Sequence, residues 1–296
     1  MYELAGKTTF ITGGASGIGL GLARSFANAG LKIALADRDT GRLLEAKKLI
    51  KAKYANVEVE VVSFDVADYA AWQNAVDEIE SKLGPISILC NSAGIGGGTL
   101  LHEDDPVRWR SVIEVNLMGT FYGIRTLLPR LLARNTPGHI VNIASLSGLR
   151  SHPGMSSYDA SKHAVVGMSD SLRKELDGTN IGLSVVYPGM TNTGFVTNSQ
   201  QIISEKTNTA FTKLNSGIAD MLKAGMDPQK VAERVLQAIS QNEYHVFTHA
   251  DVKPAMAAHF EERLAAFGQN ADPDYCENLD GLAALIKSGN NLKNKV

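Results

Sequence analysis

K-T-T-F-I-T-G-G-A-S-G-I-G, residues Lys7 to Gly19, is a short apolar strand pattern that runs without a gap into a glycine-rich turn. Helical periodicity follows through Leu20, Leu22, Ala23, Phe26 and Ala27 and stops at Gly30, a residue suited to a helix C-terminus. Leu31 to Ala36 is a second apolar run, closed by Asp37. Strand, glycine turn, helix, strand and acid thus fall within about thirty residues, in the order a dinucleotide-binding unit requires.

The chemistry of that turn is specific. Gly13, Gly17 and Gly19 let the chain bend tightly and approach a pyrophosphate, while the free N–H groups around Ser16 and Ile18 meet its charge at the helix N-terminus. Asp37, 24 residues after Gly13, suits an adenosine ribose diol and repels a 2′-phosphate. NAD is therefore expected over NADP. Arg38 argues the other way, because an arginine after the second strand can pair with that phosphate.

Outward from this unit the alternation continues. Thr40 to Lys53 reads as a helix and Val57 to Phe64 as a strand, with Asp65 and Val66 at its end, placed to meet an adenine. Asp68 caps a helix to Leu83. Ile86 to Cys90 is a buried strand ending in Asn91-Ser92-Ala93-Gly94, Pro106 opens a helix, and a long apolar pattern from Val115 to Leu132 carries Asn116. Gly182 to Tyr187 is a further strand before Pro188-Gly189. Strands alternating with helices predict a doubly wound parallel α/β sheet of Rossmann type, covered on both faces.

Composition bounds the function. The 296 residues are 44% hydrophobic and 20% charged, with a formal charge of -2. No basic footprint points to nucleic acid, and no apolar run reaches the ~20 residues that span a bilayer. Two cysteines, Cys90 and Cys276, outline neither a disulfide framework nor a metal site, and the N-terminus leaves no room for a signal peptide. The expectation is a cytoplasmic, metal-free protein without a membrane partner.

The chemical centre lies between Ile140 and Lys162. The apolar run Ile140 to Ala144 reads as a strand, Ser145 sits where it stops, and Tyr158 and Lys162 stand four apart at the start of a helix. A loop carrying Gly148, Pro153 and Gly154 can fold the serine back towards the tyrosine. An ammonium about 4 Å from the phenol, at an effective dielectric near 20, contributes roughly 4 kcal/mol and would bring a pKa of ~10 close to 7. Tyr158 could then exchange a proton with an alcohol or carbonyl oxygen that Ser145 holds in place.

Together these motifs resemble the short-chain dehydrogenase/reductase family in its single-domain branch. The likeness covers about Gly6 to Gly189: T-G-x-x-x-G-x-G at Thr12 to Gly19, Asp65-Val66, N-S-A-G at Asn91 to Gly94, Asn116, Ser145, Y-x-x-x-K at Tyr158 to Lys162, and Pro188-Gly189. The resemblance implies a catalytic tetrad of Asn116, Ser145, Tyr158 and Lys162, in which Asn116 holds a water of a proton relay. A helix-interior asparagine bonding backbone is its plainer alternative. The resemblance also implies cofactor contacts from Asn91, Ala93 and Gly94, binding of the nicotinamide ribose by Lys162, and contacts to the carboxamide from Met190 and Thr191 after Pro188-Gly189. Family members pair as homodimers or homotetramers. Ser92 stands where a second asparagine is commoner, and Gly14 where alanine is.

Beyond Thr193 the pattern is no longer generic. Gly194 to Ala224, with weak helical periodicity through Ile202, Leu214, Ile218 and Leu222, lies where the family carries a substrate-covering lid. Residues 1–250 are expected to form the catalytic domain including this lid, and 251–296 a C-terminal helical extension and tail. Met256, Phe260, Leu264 and Phe267 share one face of a helix from Lys253, which could close the pocket, dock on a neighbour or pack on its own core. Such an extension resembles that of members acting on bulky aromatic alcohols, including Cα-dehydrogenases. His152 reads as a surface-loop residue and Gly96-Gly97-Gly98 as a flexible wall. The expectation is an NAD-dependent oxidation of a secondary alcohol; an NADPH-dependent ketone reductase and a non-catalytic dinucleotide sensor are the alternatives.

Overall fold

The computed structural model describes residues 4–207, 213–267 and 281. Its strands are β1 (Thr8–Thr12), β2 (Lys32–Asp37), β3 (Val59–Ser63), β4 (Ile86–Asn91), β5 (Gly138–Ile143), β6 (Ile181–Tyr187) and β7 (His245–Phe247). They form one parallel sheet in the order β3-β2-β1-β4-β5-β6-β7. The order reverses between β1 and β4, which opens a crevice at the carboxyl ends of those strands.

Helices α1 (Gly17–Asn28), α2 (Thr40–Lys53) and α9 (Pro228–Gln241) cover one face. On the other lie α3 (Tyr69–Leu83), α5 (Gly119–Arg134) and α6 (Ser156–Glu175), with α4 (Pro106–Ile113) beside them. Successive strand residues supply the two layers in turn: Phe10, Leu89 and Ile140 pack into one, and Ile11, Ile88 and Val141 into the other. Both faces being buried, the strands read as unbroken apolar runs. Four helices start on an aspartate whose carboxylate accepts a backbone N–H, Asp39, Asp68, Asp105 and Asp227, at 2.7 to 3.0 Å.

The divergent third contributes α7 (Phe195–Thr207), α8 (Lys213–Lys223) and α10 (Lys253–Ala265). The ends of the 194–224 segment are tied together: Asn192 N–H donates to Met226 O at 2.8 Å and Met226 N–H to Met190 O at 2.9 Å. Ile203 and Leu222 are buried, whereas the Leu214 side chain lies outside the described residues. On α10 only Met256 of the expected apolar face is buried. Phe260, Leu264 and Phe267 are 41%, 65% and 81% exposed, so of these four residues Met256 alone joins the core. Cys276 and the tail from Ser288 lie outside the described residues. No described helix is long and apolar enough to cross a membrane.

Candidate active site

A cleft of about 680 Å³ runs along the carboxyl ends of the strands, from the glycine turn to Tyr158. At its dinucleotide end three positions require glycine. Gly13 and Gly17 have φ of +63° and +52°, and a Cβ at Gly19 would lie 2.2 Å from Gly13 O. Gly14 N–H donates to Ala36 O at 3.1 Å, locking the turn to β2. Asp37 stands behind it, accepting N–H groups of Ala15 at 3.4 Å and Asp39 at 3.2 Å, and burial raises its carboxyl above the usual range. Ser16, Ile18, Asp65, Val66, Ala93 and Gly94 line the same end. A glycine-built turn at the N-terminus of α1, with an acid beyond it, fits an adenine dinucleotide.

Two expected contacts are placed differently. Asn91 does not line the cleft; its Nδ2 donates to Asn142 Oδ1 at 2.9 Å, and Asn142 donates on to Ser169. It braces β4 against β5. Arg38 faces the cleft, but its guanidinium pairs with Glu205 Oε2 on α7 at 2.5 Å. Arg42 likewise donates to Asn198 on α7 at 2.7 Å, and Asn198 Nδ2 lies 3.3 Å from Ser16 Oγ.

At the other end Ser145, Tyr158 and Lys162 all line the cleft. The Ser145 side chain acts on the Tyr158 phenol, offsetting part of its desolvation, and Ser145 Oγ accepts Ser147 N–H at 3.1 Å, which fixes the loop. Lys162 is buried, with Nζ donating to Ile143 O at 2.8 Å and lying 5.7 Å from the Tyr158 ring centre. This revises the electrostatic expectation. The lysine is anchored to the strand end, and burial pushes the phenol up to about 12 and the ammonium down to about 8. Desolvation keeps the phenol protonated at neutral pH, the opposite of a phenol near 7, while the ammonium still carries most of its charge there.

Asn116 sits in a π-helical turn, Glu114–Met118, between α4 and α5 and is fully buried. Its Oδ1 accepts Ile95 N–H at 2.8 Å, and its Nδ2 donates to Ile95 O and Ser161 Oγ, both at 2.9 Å. The side-chain amide is thus spent on backbone and on α6, and it does not line the cleft.

Sequence reasoning passed over three features. Gly96 and Gly97 are buried, not a flexible wall: Gly96 N–H donates to Ser199 Oγ of α7 at 2.8 Å, and a Cβ there would meet the Phe195 ring at 2.6 Å. Phe195 itself sits edge-on to Tyr158, with ring centres 5.5 Å apart. His249 buttresses the turn after β6; its Nδ1 accepts Gly189 N–H at 3.2 Å and its Nε2 is 3.2 Å from Met190 O, which requires the proton on Nε2. His152 is exposed at the rim of the cleft. None of these follows from local spacing. Among the described residues no cluster of three or more His, Cys, Asp or Glu side chains is suited to a metal ion.

Comparison with known proteins agrees with this geometry. The short chain dehydrogenase family model matches residues 7–203, and the chain belongs to that family. A 1-deoxy-11-beta-hydroxypentalenate dehydrogenase of Streptomyces exfoliatus is 31% identical over 88% of this chain and 89% of its own. A C alpha-dehydrogenase of Sphingobium sp. is 28% identical over 93% and 91%. An NADP-dependent (R)-specific alcohol dehydrogenase of Lentilactobacillus kefiri is 30% identical over 70% and 83%. Among solved structures, a short chain dehydrogenase/reductase from Burkholderia phymatum in complex with NAD is 31% identical, covers 93% of this chain and 100% of its own, and has a TM-score of 0.85. The protein is an oxidoreductase that acts on alcohols or ketones with NAD(P).

Proposed function

We propose that the protein is an NAD-dependent dehydrogenase that oxidises a secondary alcohol, and that Tyr158, Ser145 and Lys162 carry the proton chemistry. The observation that carries this reading is the convergence of Ser145, Tyr158 and the buried Lys162 on one cleft that also holds the glycine turn. Bound along the cleft, nicotinamide supplies the hydride chemistry. Ser145 positions the substrate oxygen, and Tyr158 takes the hydroxyl proton in oxidation or returns it in reduction. Lys162 stands ready to polarise the phenol and to hold a ribose hydroxyl. Asn116 acts as a positioning residue, tying Ile95 and α6 into one frame around the tyrosine.

The choice of NAD rests on Asp37 at the end of β2 and on Glu205, which occupies Arg38. A 2′-phosphate would meet Asp37 and find the nearby guanidinium already paired. The relative named as NADP-dependent keeps the phosphorylated cofactor as the alternative. The segment 194–224 serves as the lid: Phe195 reaches the tyrosine, while Asn198 and Glu205 reach the adenosine side. The C alpha-dehydrogenase relative supports a bulky or aromatic substrate.

A Tyr158→Phe variant tests the mechanism. It should bind cofactor with unchanged affinity, read by fluorescence titration, and lose about 10³-fold in turnover. Full turnover in that variant would refute the role of the phenol.

A further inference from the structure

The cleft's cations divide by position. At the dinucleotide end Arg38 pairs with Glu205, and Arg42 pairs with Asp39 and donates to Asn198. At the reacting end Lys162 donates to Ile143 O. Arg150, on the loop between Ser145 and Tyr158, also lines the cleft and is partly buried. It makes no ion pair among the described residues, and its Nε is buried without a hydrogen-bond partner. The cavity that Arg150 lines also carries apolar side chains, Leu146, Met155, Phe195 and Ile202 among them, beside the polar His152, Gln201 and Asp251. A half-buried guanidinium whose Nε has no partner carries a desolvation cost, and a planar anion that accepts two parallel N–H bonds relieves it.

We propose that Arg150 recognises a carboxylate carried on an otherwise apolar substrate, so that the physiological substrate is a hydrophobic hydroxy acid or its keto acid. This inference rests on the dehydrogenase reading above and adds the substrate class to it. The carboxylate takes no part in bond making. It fixes the molecule at one end so that its carbinol, at the other, meets Ser145 and Tyr158. Arginine suits the task better than lysine because its planar fork sets orientation as well as charge. The rival role is structural: Asp159 Oδ1, at the start of α6, is also buried and unpartnered, while its Oδ2 accepts His152 N–H at 2.7 Å.

The test uses hydroxydecanoates with the secondary hydroxyl at successive distances from the carboxylate, each against its methyl ester, with NAD as acceptor. In the wild type the best acid should exceed its ester about 30-fold in kcat/KM, through KM, and the advantage should shrink as salt is added. Arg150→Met should bring acid and ester to parity with the ester rate unchanged, and Arg150→Lys should restore part of the preference. Equal rates for acid and ester in the wild type would overturn the proposal while leaving the dehydrogenase reading intact. Equal losses on both substrates in Arg150→Met, with a lowered melting temperature, would assign Arg150 to structure and overturn it too. Absence of turnover with these and all other secondary alcohols would overturn the dehydrogenase reading itself.

Discussion

The two ends of the cleft are built on opposite plans. At the dinucleotide end the backbone forms the turn with the acid Asp37 beyond it, and the cations that edge it are already paired, Arg38 with Glu205 and Arg42 with Asp39. At the reacting end recognition is done by side chains, and desolvation leaves them electrostatically unsettled: a phenol pushed up to about 12, an ammonium pushed down to about 8, and an arginine with an orphaned Nε. A finished end holds a ligand that is always the same. An unfinished end derives its balance from the ligand that arrives.

The comparison breaks first, and by the largest margin, at Gly19. An alanine there would set a methyl 2.2 Å from Gly13 O, where only backbone can yield. Gly19→Ala should weaken NAD binding more than about 100-fold in a fluorescence titration. Unchanged affinity would mean that the cradle is not the binding surface.

The reacting end is sharpened by pH. A phenol held above its ordinary value is protonated at neutral pH, so the base needed for oxidation is scarce and grows as pH rises. The kcat/KM for oxidation should climb about tenfold per unit between about pH 7 and 9. A plateau beginning near 7 would restore the depressed phenol that helical spacing alone suggests.

How the two ends appear in sequence differs in the same way. The dinucleotide end was legible because its determinants are local: the glycines, Asp37 and the alternation of strand and helix lie within one β-α-β unit, and the strand order follows from that fold. The reacting triad was legible for a similar reason, since Tyr158 and Lys162 share one helical face. The partners that define their surroundings were not. Glu205 reaches Arg38 across 167 residues, Phe195 caps Gly96 across the cleft, and His249 arrives under Gly189 from beyond β7. Periodicity also placed Met256, Phe260, Leu264 and Phe267 on one helical face without revealing that α10 ends at Ala265 and that only Met256 of the four is buried.

The smallest effect is expected where the lid meets the dinucleotide end. The Arg38–Glu205 pair is partly exposed, so Glu205→Gln should lower the KM for NADP only about fivefold and leave that for NAD nearly unchanged. Equal shifts for both cofactors would separate the pair from cofactor choice.

The most direct measurement is absorbance at 340 nm on the purified wild type, with NAD and NADP at equal concentration against secondary alcohols that include aromatic ones. Formation of reduced cofactor, faster with NAD than with NADP, is the predicted result. Cofactor that binds but is never reduced, whatever the alcohol, would contradict the reading and leave a protein that binds the dinucleotide without turning it over.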